Sequence, residues 1–201
     1  MRLDDYDFAR YPFLDREHVM RLGELSFLDR CESVVLIGPS SVGKTHLAIG
    51  LGVRACQAGY HVRYVRAYEL LKQLYASLAD DTLDDVLDDL LKPTLLIIDE
   101  LGNSPRKPEQ DFAGVFFELV ARRHRHGSFV LTTNLGFNEW HLALGTAWQI
   151  TPALERMLEG AHVLEFPPDA PSSRTERTQG PGPLPTPPRT RRRRAPPPAR
   201  K

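Results

Sequence analysis

The octapeptide "GPSSVGKT", residues 38–45, constrains this chain more than any other stretch of it. It lies directly behind the apolar run "SVVLI" and directly ahead of "HLAIGLGVRACQAG", so two glycines, a lysine and a threonine fall between an expected strand and an expected helix. A row of phosphates is polyanionic, and backbone N–H groups at a helix N-terminus, reinforced by the helix dipole, form a selective receptor for it. Gly38 and Gly43 permit the turns and close approach that such a receptor needs. Lys44 reaches the β- and γ-phosphates, and the Thr45 hydroxyl is suited to ligate Mg²⁺. The expected binding segment runs from Gly38 through Pro39, Ser40, Ser41, Val42 and Gly43 to Lys44, Thr45 and His46, with His46 packing on the helix rather than moving a proton. By chance alone, G-x-x-x-x-G-K-T arises in fewer than about one chain in a hundred of this length. Nucleotide binding is the expectation.

The surroundings suit it. Short β-rich runs recur at 33–37, 61–65, 94–99, 128–133 and 162–166, each nearly continuous in apolar residues, as strands covered on both faces should be. Helical patterns fill the intervals at 44–58, 67–78, 82–92, about 109–125 and about 151–159. Strand alternating with helix at this rhythm predicts a parallel α/β sandwich. Gly59 and Gly127 stand where helices should stop before the next strand. The stretch "ADDTLDDVLDDLL" spaces its leucines and valine at helical intervals, so its aspartates read as a solvated face and not as a metal site.

A second element agrees with the first. "LLIIDE" ends a buried strand with Asp99 and Glu100, where one carboxylate can hold Mg²⁺ and the other polarise an attacking water, which favours hydrolysis over transfer to a small-molecule acceptor. The next strand ends "LTTN", bringing Thr132, Thr133 and Asn134 to the same edge, where a polar side chain can hydrogen-bond the water or the γ-phosphate.

Charge is unevenly spread. Residues 171–201 hold nine Arg and Lys against Glu176 alone, which leaves 17 basic and 25 acidic side chains in residues 1–170 from chain totals of 26 each. That last segment is rich in proline and arginine and poor in large apolar residues, so disorder is expected from about residue 169 onward. The expected division is a lead-in segment 1–30, an ATPase domain 31–168 and the tail 169–201. "MRLDDYDFAR" has no apolar run of the signal-peptide kind, and no stretch approaches the ~18–20 residues of a membrane helix, so a soluble cytoplasmic protein with no membrane partner is expected. Cys31 and Cys56 form no metal spacing and are expected as buried, reduced thiols.

The segments "GPSSVGKTHLAIGLGVRACQAGYHVRY", "LLIIDELG", "LTTNLGFNEW" and "ALERMLEGAHVLEF" resemble the IstB-like ATPases, helper proteins of insertion-sequence transposition that belong with the DnaC-type helicase loaders to the AAA+ class. The resemblance covers about residues 6–166. It implies a P-loop NTPase of AAA+/ASCE type, a three-layer sandwich on a mostly parallel five-stranded sheet. It also implies ATP and Mg²⁺ as cofactors, with Lys44 and Thr45 as the P-loop pair, Asp99 and Glu100 as the Walker B pair and Asn134 as the sensor-1 residue. Arg156 in "ALERML" matches the arginine that completes a neighbouring subunit's site. Arg174 in "APSSR" would correspond to the sensor-2 arginine of a "GESYR" segment with which it shares little else. The partners implied are DNA, a transposase or a replicative helicase, and further copies of the chain in an ATP-dependent homo-oligomer. Relatives carry a helical partner-binding segment ahead of the "YDF" stretch, whereas here Tyr6–Phe8 lies almost at the start, so a truncated copy is expected. A helicase loader, or a non-hydrolysing or inactive DNA-binding remnant, are the alternative readings.

Two basic runs stay ambiguous at this level. "ARRHRHG" (121–127) fits either a DNA patch or cations favoured at a helix C-terminus, with the second preferred, and "RTRRRR" (189–194) fits non-specific phosphate binding or an accidental tail. Trp140 and Phe137 read as core anchors of the loop after "LTTN".

Overall fold

The computed structural model describes residues 1–103, 110–145 and 147–172. Strands β1 (Val34–Ile37), β2 (Val62–Arg66), β3 (Leu95–Leu101), β4 (Ser128–Thr133) and β5 (His162–Glu165) form one sheet in the order β2-β3-β4-β1-β5, and every neighbouring pair is parallel. The helices are α1 (Arg16–Leu22), α2 (Ser26–Asp29), α3 (Lys44–Gln57), α4 (Ala67–Ala79), α5 (Leu83–Leu91), α6 (Ala113–Arg123), α7 (Trp140–Leu144) and α8 (Ala147–Leu158). This is the α/β three-layer sandwich on a five-stranded parallel sheet expected from the sequence. The expected tail falls almost wholly outside the described residues, as does Arg174.

The sheet divides two hydrophobic clusters. Side chains alternate along each strand, so Val35, Leu96, Ile98, Phe129 and Leu131 join the cluster under α4 to α8, while Val34, Leu36, Leu95, Ile97 and Val130 join the one under α1, α2 and α3. Apolar residues are therefore wanted at consecutive strand positions, which is why the runs read as near-continuous. The lead-in residues belong to the second cluster: Leu3, Tyr6, Tyr11, Leu14, Val19, Leu22, Phe27 and Leu28 are all buried there. Because parallel strands end on one rim, the segments following β1, β3 and β4 meet, and that rim is where ligands bind in sheets of this kind.

Some elements differ from their expected form. Helix α8 starts at Ala147 rather than near residue 151 and contains Pro152. The first four N–H groups of a helix have no partner within it, so a proline six residues in removes only one early bond. Helix α6 ends at Arg123, and Cys31 is half-buried and Cys56 exposed, which corrects the expectation of two buried thiols. Cys56 lies on the solvent face of α3, whose buried positions are Leu47, Ala48, Leu51, Gly52 and Ala55 among others. Trp140 is fully buried, with Phe116 and Phe137 rings packed against it. The aspartates of α5 are exposed opposite buried Leu87 and Leu90. Among the described residues there is no cluster of three or more metal-ligating His, Cys, Asp or Glu and no helix long and apolar enough to cross a membrane.

The basic run at the end of α6 is tied down internally. Arg122 pairs with Glu118, Asp84 and Asp88, and both His124 and Arg125 meet Glu159. Arg123 is 1% exposed, and its guanidinium donates to the carbonyls of Leu90, Pro93, Thr94 and Ser128 at 2.7 to 3.2 Å. It also lies over the Phe129 ring, and Gly127 leaves it room, since a Cβ there would meet Arg123 Nη2 at 2.6 Å. One side chain thus joins the end of α5 to the starts of β3 and β4. Arg123→Ala removes a donor from four carbonyls, of which Thr94 keeps the Ser128 N–H, and is expected to destabilise the fold by about 3 kcal/mol, read as a lower urea midpoint with an unchanged m-value. Arg123→Lys, which lacks the planar fork, recovers only part of that loss.

Candidate active site

The loop from Gly38 to Gly43 turns from β1 into α3 through two glycines that cannot be replaced without rearrangement. Gly43 has φ +92°, and a Cβ there would lie 2.7 Å from the Tyr6 ring. Gly38 has φ +149°, and a Cβ there would meet the Phe166 Cβ at 2.5 Å. Lys44, the first residue of α3, is 8% exposed and folds back so that its ammonium donates to the Gly38 and Pro39 carbonyls, each at 2.6 Å. Burial pulls this ammonium down to about 8, while Asp99 and Glu100 push the other way.

Two strands away, Asp99 occupies the end of β3 and is 2% exposed. Its Oδ1 accepts from the Thr45 hydroxyl at 3.0 Å and the Thr132 hydroxyl at 2.6 Å, and its Oδ2 accepts from the Tyr64 hydroxyl at 2.7 Å. The loop-bearing helix and the acidic strand end are therefore in direct contact on one rim of the sheet. Glu100 follows at φ +64°, a left-handed conformation that costs a non-glycine residue about 1–2 kcal/mol, and it sits in a register shift between β3 and β4. Bulges of this sort re-aim side chains beside active sites.

Glu100 lines a cavity of about 600 Å³ together with Ser40, Ser41, Gly43, Lys44, Thr45, His46, Thr132, Thr133 and Asn134. Asn134 is exposed at the mouth, just past β4. His46 does not simply pack on α3, for its Nε2 lies 2.8 Å from the Arg2 carbonyl and its ring meets Tyr6 edge-on. Arg156 is not brought to this cavity. Its guanidinium donates to the Pro152 carbonyl at 3.2 Å and lies over the Phe117 ring on the α6–α8 side.

Thr45 and Asp99 offer oxygen donors only, within hydrogen-bond distance of one another, and this set suits Mg²⁺, which is commonly held by one or two protein groups plus substrate phosphates and water. Such a site needs no cage of three carboxylates, in keeping with the absence of one among the described residues.

Two groups of site residues escaped the sequence reading. Tyr64 lies in β2, and partial burial followed by its bond to Asp99 raises its phenol to about 12. Nothing within "HVRYV" announces a reach of 35 positions along the chain. Part of the cavity lining comes from the lead-in: Asp5, Tyr6, Asp7, Arg10 and Tyr11. The Tyr6 hydroxyl donates to the Val42 carbonyl at 3.1 Å, which fastens the lead-in to the loop between β1 and α3. The apolar and aromatic content of "YDFARY" was the available signal.

A family model described as IstB-like ATP binding protein matches residues 1–179. A Geobacillus stearothermophilus protein of insertion sequence IS5376, named for ATP binding, is 34% identical over 177 residues, covering 88% of this chain and 70% of the relative. A Pseudomonas aeruginosa counterpart from IS21 is 37% identical over 164 residues, covering 82% of this chain and 61% of the relative. The chain thus spans about two thirds of the length of these proteins. Among solved structures, the DnaC helicase loader aligns with TM-score 0.65 at 17% identity, covering 83% of this chain and 96% of that one. AMPPCP-bound DnaA from Aquifex aeolicus aligns with TM-score 0.62 at 18% identity, over 82% of this chain and 49% of that one. Both likenesses are of fold.

Proposed function

The chain belongs to the IstB-like ATP binding protein family, and on that premise we propose that it is a Mg²⁺-dependent AAA+ ATPase that assists transposition, assembling on DNA and regulating a transposase. The observation that carries this reading is the contact of Thr45 with Asp99, 3.0 Å across, beside a cavity that Lys44 and Glu100 both line.

In this mechanism the amides of the loop and of the first turn of α3 hold the triphosphate, and Lys44 exchanges the Gly38 and Pro39 carbonyls for phosphate oxygens. Thr45 and Asp99 hold Mg²⁺, which when bound offsets the charge on the phosphoryl oxygens. Glu100 polarises the attacking water and takes its proton, and Asn134 hydrogen-bonds that water or the γ-phosphate. Arg156 of one copy contacts the γ-phosphate held by the next, which suits a guanidinium that lies apart from its own chain's cavity.

The test is steady-state phosphate release from ATP with and without duplex DNA, together with sedimentation of the chain on DNA at saturating nucleotide. Turnover and ATP-dependent assembly are expected. Arg156→Ala is expected to bind ATP as the parent does and to stay monomeric. If both proteins remain monomers under these conditions, the inter-subunit role of Arg156 is wrong. Tight ATP binding without phosphate release under either condition would instead make ATP a structural ligand of a DNA-binding adaptor. A transposase gene beside this one supports the transposition role, and a replicative helicase operon supports a loader.

A further inference from the structure

We infer that Thr132 is a positioning residue whose single hydroxyl sets the Asp99 carboxylate and the Glu100 backbone relative to one another across the bulge in β3. The inference rests on the reading of this site as a Mg²⁺-ATP hydrolysis centre. Pairing of β3 with β4 runs in step from Leu95↔Ser128 to Ile98↔Leu131 and resumes at Leu101↔Thr133, so two residues of β3, Asp99 and Glu100, face one residue of β4, Thr132. A bulge leaves a residue outside the regular ladder. Here the Glu100 N–H donates to Thr132 Oγ1 at 2.9 Å instead, and the same hydroxyl donates its only hydrogen to Asp99 Oδ1 at 2.6 Å.

With that hydrogen committed, Thr132 does not donate to a γ-phosphate or to water, the role open to a polar side chain at the end of "LTTN" and given to Asn134. It is 1% exposed, so neither bond is exchanged readily for solvent. The adjacent Thr133 shows the contrast: its hydroxyl donates to the Leu101 carbonyl and accepts from the Leu135 N–H, closing the strand end without touching either carboxylate. Beyond the peptide bond that joins the two residues, the Thr132 hydroxyl therefore links the side chain of Asp99 to the backbone N–H of Glu100, which has a left-handed conformation, and Asn103 N–H donates to the Glu100 carbonyl at 3.2 Å.

Thr132→Val keeps the size and removes the hydroxyl, whereas Thr132→Ser keeps the hydroxyl and removes a methyl. The full chain and both variants are compared by the affinity of a fluorescent ATP analogue in EDTA, by the Mg²⁺ concentration that half-maximally tightens that affinity, and by kcat and KM for phosphate release. For Thr132→Val, affinity in EDTA stays within about twofold, while the Mg²⁺ requirement rises and kcat falls by about tenfold or more at nearly constant KM, the size of effect usual for groups that orient metal ligands. Thr132→Ser restores both quantities. Unaltered Mg²⁺ dependence and kcat in Thr132→Val would overturn the inference, as would a serine variant as impaired as the valine one, since the methyl's packing would then be the cause. A parent chain whose nucleotide affinity responds to Mg²⁺ but which releases no phosphate would sink the hydrolytic reading alone, because the Mg²⁺ arm still reports on the bridge.

Discussion

Glu100→Gln is expected to bind ATP within about twofold of the parent and to release phosphate slower by on the order of 10³, the loss typical when a positioned base can no longer accept a proton. Glutamine matches glutamate in size and still orients a water by hydrogen bonding, so the cavity and the bulge are preserved. The Glu100 backbone is held by its N–H bond to Thr132, which the substitution does not touch. What disappears is the proton acceptor. The comparison is between the Kd of a fluorescent nucleotide and the single-turnover rate of phosphate release. A variant that hydrolyses at near the parental rate would remove Glu100 from the chemistry, and Asp99, already accepting three hydroxyl hydrogens, is poorly placed to replace it. A variant that instead lost ATP binding would show that Glu100 supports the loop rather than the water.

The legible parts of this molecule are those whose physics is local. Apolar runs announced all five strands, although only β1, β3 and β4 are buried throughout or nearly so, the edge strands β2 and β5 being partly exposed, and the glycines, lysine and threonine of residues 38–45 announced the loop and helix start that we propose as the phosphate site because both lie within eight consecutive positions. The bulge that turns Glu100 was invisible, for it exists only in the pairing of β3 with β4, and each strand alone reads as regular. Tyr64 was missed for the same reason: its contact with Asp99 crosses from β2 to β3. The fate of "ARRHRHG" was partly readable. Phe116, Leu119, Val120 and Arg123 recur at helical spacing on the buried face of α6, so Arg123 belongs to the interior by the periodicity that sends Arg122 to the surface. Its identity as a charged residue hid it. Proline suits the first turn of a helix starting near residue 151, whereas α8 starts at Ala147 and carries Pro152 inside it.

Lys44→Ala is expected to weaken ATP binding by on the order of 10²–10³, because it removes the cation that we propose contacts the β- and γ-phosphates in a site of reduced solvent access. Lys44 is largely buried against its own loop with Asp99 and Glu100 nearby, so removing the ammonium leaves these two carboxylates without the cation that offsets them. The substitution also deprives the Gly38 and Pro39 carbonyls of their donor, which is expected to lower the stability of the nucleotide-free chain by about 1–2 kcal/mol. Thermal melting separates the two effects. ATP supplied at about a hundredfold over the parental Kd stabilises the parent by about 2.7 kcal/mol by mass action, whereas a chain with a hundredfold weaker site gains only about 0.4 kcal/mol. The parent should therefore show a clear ATP-dependent rise in Tm and the variant almost none, over and above its lower starting value. Should Lys44→Ala retain the full ATP-dependent rise, the triphosphate is held somewhere other than at the N-terminus of α3, and the roles given to Thr45, Asp99 and Glu100 fall with it.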